Sequence, residues 1–264
     1  MSQRVFITGG ASGLGLALAK RWIEDGANVC IGDLNDERGA DALKELGDNA
    51  RYIHCDVTSE EDMKKVAADL ERRWGGVDIV VNNAGVATAG AIEEETLEQW
   101  QWVININLLG VVRGCKAFTP MFKRARAGAF LNVASMAGLA HPPMMSSYNV
   151  CKAGVVALSE TLAVELAPYN VQVAVACPSF FKTHLDETMR STRPEAKDMV
   201  RHLFAKGKLS ADEVADFCFK GLNRGDFYLL PHADGRTAFR AKRWLPTRSY
   251  LNMMEKRTRR MRND

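Results

Sequence analysis

The segment VFITGGASGLGLALAKRW constrains the fold more than any other part of the chain. It reads as a short β-rich run, a turn with Gly9, Gly13 and Gly15 in the spacing G-x-x-x-G-x-G, and then a helix. Glycine permits the tight turn and lets backbone N–H groups approach an anion, which the positive end of the next helix favours. With 21 glycines in 264 residues the spacing also arises by chance, and an ordinary glycine turn is the plain alternative. Its place between a first strand and a first helix is the context a dinucleotide pyrophosphate requires. Ser12 and Leu14 lie in the same turn.

The rest of the chain repeats that alternation. Strands are expected at 4–8, 28–33, 51–55, 77–82, 129–134, 171–177 and 227–230. Helices are expected near 14–25, 36–46, 60–74, 97–124, 147–166 and 211–223. Strands alternating with helices indicate βαβ units, and the nearly continuous apolar runs VDIVVNNAG and VQVAVACPS are those of buried parallel strands. The fold class is α/β, a single doubly wound domain over residues 1–235, followed by a basic extension over 236–264. The interval 179–208 is long for a connection, so it is either helical or a mobile lid over a substrate.

Composition narrows the function classes. No apolar run reaches the length that spans a bilayer, and the start MSQRVFITGG has no signal-peptide pattern, so a cytoplasmic location is expected. The six cysteines include no C-x-x-C pair, and the five histidines form no metal-ligand spacing, so neither a disulfide framework nor a metal site is expected. Net charge is +3, but 236–264 holds ten Arg and Lys against Glu255 and Asp264. That is a net of +8 on the tail and −5 on the first 235 residues. The tail lacks the aromatic interleaving that stacks bases, which argues against a nucleic-acid partner.

Asp33 ends the second strand, 18 residues beyond Gly15. A carboxylate there accepts hydrogen bonds from both ribose hydroxyls of NAD and repels the extra phosphate of NADP, unless it is merely a cap or turn residue. Leu34 and Ser12, the neighbouring places for a phosphate-binding cation, are neutral, whereas Arg38 is close enough to favour NADP. Tyr148 and Lys152 stand four apart on a helical stretch and so share one face. Ser135 precedes Tyr148 by 13 residues and directly follows a strand, at the carboxyl end where open α/β sheets place their ligands.

At these residues the chain resembles the short-chain dehydrogenase/reductase family, in its ordinary-length cytosolic branch. The matching segments are TGGASGLG at 8–15, Asp33, CDV at 55–57, NNAG at 82–85, Asn107, Ser135, YNVCK at 148–152 and PSFFKT at 178–183, together spanning about residues 1–185. The resemblance implies a Rossmann domain with a mostly parallel seven-stranded sheet flanked by helices, and a nicotinamide cofactor, NAD in preference to NADP. It implies a catalytic tetrad of Ser135, Tyr148, Lys152 and Asn107, and a cofactor cradle of Gly9, Ser12, Gly13, Leu14 and Gly15. Asp56 and Val57 would frame the adenine, and Asn83, Ala84, Gly85 and Pro178 would pass beside the cofactor, with Thr183 on the nicotinamide amide. The family's habit also implies a homodimer or homotetramer built through the helices carrying Asn107 and Tyr148. Two departures stand out: Ser179 replaces a glycine common in the family, and YLLPHADGRTAFRAKRWLP replaces its glycine-rich ending. The second argues against a ketoacyl-carrier-protein reductase.

The chemistry follows from the residue types. Hydride transfer between an alcohol carbon and nicotinamide leaves one proton to move on oxygen. A tyrosine beside a lysine ammonium can move it, and a serine hydroxyl can steady the developing charge. Oxidoreduction of a secondary alcohol or ketone is therefore expected; a non-catalytic nicotinamide sensor or scaffold is the alternative. Met136, Leu139, Pro142, Pro143, Met144 and Met145, with Phe180, Phe181, Leu185, Met189, Met199, Leu203 and Phe204, suit a bulky apolar substrate such as a steroid, retinoid, aryl ketone or long-chain alcohol, unless they only fill core. In the tail beyond Pro246, Tyr250, Met253, Met254 and Met261 fall near one helical face. That face would rest weakly on an anionic membrane, pack on another subunit, or end as a solvated helix.

Overall fold

A computed structural model describes residues 2–182, 185, 187–192, 197–198, 201–202 and 205–259. The strands β1 (Arg4–Thr8), β2 (Asn28–Asp33), β3 (Ala50–His54), β4 (Ile79–Asn82), β6 (Gly128–Val133), β7 (Val171–Ala176) and β9 (Tyr228–Leu229) form one sheet in the order β3-β2-β1-β4-β6-β7-β9. All its pairings are parallel. The chain steps outward from β1 to β3 and returns to β4 beside β1. This reversal opens a crevice at the carboxyl ends of β1 and β4, where doubly wound folds hold their ligands. A separate parallel pair joins β5 (Thr88–Ala89) to β8 (Arg190–Ser191). β5 and β8, two residues each, leave no period-2 pattern, and the sequence reading missed them.

Helices α1 (Gly13–Glu24), α2 (Asp36–Leu46) and α8 (Ala211–Arg224) cover one face of the sheet. Trp22 lies edge-on to Phe219 in that layer at 5.6 Å, and Trp22 is fully buried. The opposite face is covered by α3 (Glu60–Trp74), α5 (Leu109–Ala125) and α7 (Ser146–Leu166), around Phe6, Phe118, Phe122 and Phe130. Polar side chains start three of these helices: Asn35 accepts from the Arg38 N–H, Ser59 from the Asp62 N–H, and Ser210 forms a reciprocal box with Glu213. The six cysteines are free and buried, and burial raises their thiol pKa values to about 11 or 12, which leaves them inert.

The single helix expected over 97–124 is two, α4 (Leu97–Asn107) and α5, separated at Leu108 (φ −110°, ψ −60°). Asn107 is fully buried at this break, and its amide leaves the helix to bond both the N–H and the carbonyl of Val86 at 2.8 Å. The tail also differs. Helix α9 (Ala233–Trp244) begins before the boundary drawn at residue 236, and α10 (Thr247–Thr258) follows Pro246. Both dock on the short helix α6 (Ala137–Ala140): Lys242 Nζ donates to the Leu139 carbonyl at 2.6 Å, and Tyr250 Oη to that of Ala140 at 2.9 Å. Tyr250 is buried, so the face expected to meet a membrane, a subunit or solvent lies partly against the protein's own body. Met261 lies outside the described residues. No helix among the described residues is long and apolar enough to cross a membrane.

Candidate active site

The turn after β1 is built for close backbone approach. Gly9 and Gly13 take φ of +61° and +53°, and a Cβ on Gly9 would meet the Ala84 Cα at 2.8 Å. Asn83, just past β4, clamps the turn, its Nδ2 donating to the carbonyls of Thr8 and Gly9 at 3.0 Å. Ser12, the N-cap of α1, makes no side-chain cap hydrogen bond, and the first turn of α1 holds no acidic residue. The leading N–H groups of that helix therefore have no competing carboxylate of their own, which fits a phosphate. Gly15 sits deeper: a Cβ there would lie 2.1 Å from the Gly9 carbonyl, so it closes the turn and does not line the cavity.

Asp33 is fixed by both carboxylate oxygens, which accept from the backbone N–H groups of Ala11 and Asn35 at 3.1 Å. Each oxygen keeps a lone pair for a ribose hydroxyl. Arg38 is paired with Glu187 at 2.7 Å, which draws its cation toward the segment above the cleft. Asp56 accepts from the N–H and hydroxyl of Thr58 and lies across the same opening.

One cavity of about 1030 Å³ joins these groups to Ser135, Tyr148 and Lys152, the catalytic candidates of the sequence. Gly9, Ser12, Gly13, Leu14, Asp33, Asp56, Val57, Asn83, Ala84, Gly85, Ser135, Tyr148, Lys152 and Pro178 all line it. Ser135 accepts from the Ala137 N–H at 3.1 Å. Lys152, 4% exposed, donates to the Val133 carbonyl at 2.9 Å, and its Nζ lies 5.7 Å from the centre of the Tyr148 ring. Burial lowers the Lys152 pKa to about 8 and raises that of Tyr148 to about 12, with the nearby Ser135 hydroxyl acting the opposite way on the phenol. In the protein alone, then, burial outweighs the pull toward phenolate expected from the lysine. Asn107 does not line the cavity; its amide holds Val86, next to Gly85 in the segment after β4. Thr183 lies outside the described residues. Among the described residues no cluster suited to a metal ion occurs.

A family model described as short chain dehydrogenase matches residues 3–194. The chain belongs to the short-chain dehydrogenase/reductase family. It is 34% identical over 181 residues to a 3-alpha-(or 20-beta)-hydroxysteroid dehydrogenase of Mycobacterium bovis, covering 69% of this chain and 70% of that protein. It is 34% identical over 216 residues to 3beta-hydroxysteroid dehydrogenase 1 of Eggerthella lenta, covering 80% and 82%. A short-chain dehydrogenase/reductase structure from Burkholderia phymatum in complex with NAD superposes with a TM-score of 0.88 at 28% identity, covering 92% of this chain and 93% of that one.

Met136, Ala137, Pro142, Met145, Phe180, Phe181 and Leu185 also line the cavity. Leu139, Pro143, Met144 and Met189, expected there, do not line it; Met189 instead packs on Ala87 and Ala89 beneath the small sheet. Met199, Leu203 and Phe204 lie outside the described residues.

Two features escaped the sequence reading. Met254, Arg257 and Thr258 of α10 reach the cavity. Glu95, 7% exposed, accepts from the N–H and hydroxyl of Ser147 and from Gln99, with Thr88 bonded to the same Ser147 hydroxyl. Only the spacing of Met254 and Thr258 after Tyr250 could have signalled the first, and nothing local signals the second.

Proposed function

We propose that this protein transfers a hydride between NAD(H) and a bulky, apolar secondary alcohol or ketone. The observation that carries the reading is one continuous cavity. Asp33 and the glycine turn, Ser135, Tyr148 and Lys152, and a set of Met, Phe, Pro and Leu side chains all line it. The hydroxysteroid dehydrogenases among its relatives bear names in keeping with such a substrate.

When bound, the nicotinamide gives or takes the hydride. The chain's own residues bind and handle the proton. Phosphates would rest on the N–H groups at Gly13 and Leu14, the adenosine ribose on Asp33, and the adenine beside Asp56 and Val57. Ser135 donates to the substrate oxygen. Tyr148, protonated at neutral pH with its raised pKa, delivers the proton to a ketone oxygen as charge gathers there. Lys152, held by Val133, supplies positive charge near the phenol in its protonated form. Asn107 positions the segment at Gly85 and Val86. Exposed Leu97, Leu109, Val150 and Val164 on α4, α5 and α7 support assembly as a homodimer or homotetramer through those helices.

The test is a panel of secondary alcohols and ketones offered with both cofactors. Steroids and aryl ketones are expected to give higher kcat/KM than polyols, and NADH to outperform NADPH. Cofactor binding without turnover of any member would support a sensor, and a preference for polyols would overturn the substrate class.

A further inference from the structure

The last described helix forms a wall of the substrate cavity. Met254, Arg257 and Thr258 follow the i, i+3, i+4 spacing that shares one helix face, and all three line the cavity with Ser135 and Tyr148. Tyr250, one turn earlier, anchors that face on the Ala140 carbonyl, and Lys242 anchors the preceding helix on Leu139. Both carbonyls belong to α6, two residues beyond Ser135. The wall is thus fastened to the segment that carries the reacting serine.

The charges along the cavity are unequally satisfied. Asp33, Arg38 and Asp56 lie in the proposed cofactor half, and Arg38 is paired with Glu187. Lys152 is committed to Val133. In the substrate half, Asp234 accepts from the Gly235 N–H at the start of α9. Arg257 makes no hydrogen bond or ion pair among the described residues, and Lys256 and Arg259 beside it outweigh Glu255 in the local field. Arg257 is exposed on α10 and lines the cavity among mainly apolar side chains, with the Asp234 carboxylate as the acidic group there. A guanidinium so placed is suited to a carboxylate, which it can bind through two parallel hydrogen bonds.

We infer that Arg257 is a specificity-determining residue that receives a carboxylate carried by the apolar substrate at the end remote from its reacting carbon. The inference rests on the dehydrogenase reading and narrows its substrate class to keto or hydroxy acids with a large hydrocarbon body.

The experiment compares a bulky ketone bearing a remote carboxylate with its methyl ester, using the full chain and NADH. Wild type is expected to favour the acid in kcat/KM. Arg257→Ala should lower the acid-to-ester ratio by about tenfold, Arg257→Lys should retain part of it, and roughly 0.5 M salt should narrow it in wild type. Turnover of the ester with a ratio that Arg257→Ala leaves unchanged overturns this inference alone. If neither compound turns over while other ketones do, the carboxylate assignment falls; if no ketone turns over, the dehydrogenase reading falls and takes this inference with it.

Discussion

The backbone N–H of Ser179 donates to Nδ1 of His232 at 3.1 Å. These are the two places where the chain departs from its family's habit, the missing glycine after Pro178 and the unusual PHAD segment, and here they meet. The bond requires His232 to be neutral with its proton on Nε2.

Burial lowers the His232 pKa below its ordinary value near 6.5, with Asp234 acting weakly the other way. Between the folded and unfolded pKa values the unfolded chain binds more protons, so stability rises with pH and is complete above about 6.5. Acidification below that pH should cost stability and weaken the Ser179–His232 contact. Melting temperature followed from pH 7.5 to 5.5 for wild type and His232→Gln checks this. Equal pH slopes in the two proteins would remove His232 from the account.

Tyr148→Phe keeps the buried ring and deletes the proton donor. Turnover should fall by about 10²–10⁴ while NAD binding survives in calorimetry. Ketone reduction should also decline as pH climbs past about 8, where Lys152 loses its proton. Activity within a few-fold of wild type in Tyr148→Phe would end the assigned role.

Asp33 should make kcat/KM higher with NAD than with NADP, and Asp33→Ala should narrow the gap. Arg38→Ala should change that ratio little, because the Arg38 guanidinium is already paired with Glu187. A wild-type preference for NADP would show that Arg38 leaves Glu187 to meet the extra phosphate.

Much of this was legible in the sequence because it depends on local chemistry. The glycine turn had to follow a strand and open a helix, and the apolar runs of β4 and β7 had to be buried on both faces. Tyr148 and Lys152, one turn apart, had to share a face. What could not be read depends on contacts between distant segments. Asn107 gave no sign that its amide would tie down Val86 and break a long helix. The tail offered an amphipathic face, but its partner is the pair of carbonyls ending α6, more than a hundred residues away. The pairing of Thr88–Ala89 with Arg190–Ser191 is likewise invisible to periodicity.

Glu95 is the most consequential of these hidden contacts. Its carboxylate sits against the first turn of α7 and accepts from the N–H of Ser147 at 3.3 Å and from its hydroxyl at 2.9 Å. Ser147 immediately precedes Tyr148, so the carboxylate holds the helix end that aims the phenol, and its charge suits a helix N-terminus. Glu95→Ala leaves those donors and Gln99 without an acceptor in a buried site, at a cost of about 3 kcal/mol, and should lower the melting temperature. Glu95→Gln keeps the shape but replaces one acceptor oxygen by a donor, so it should fold with a smaller loss. Because sub-ångström displacement of a reacting group lowers rate more than affinity, Glu95→Gln should reduce kcat by roughly tenfold. Glu95 does not line the cavity, so the Kd for NAD should stay within about twofold. A lower melting temperature with kcat untouched would mean that Glu95 supports the fold and has no part in aiming Tyr148.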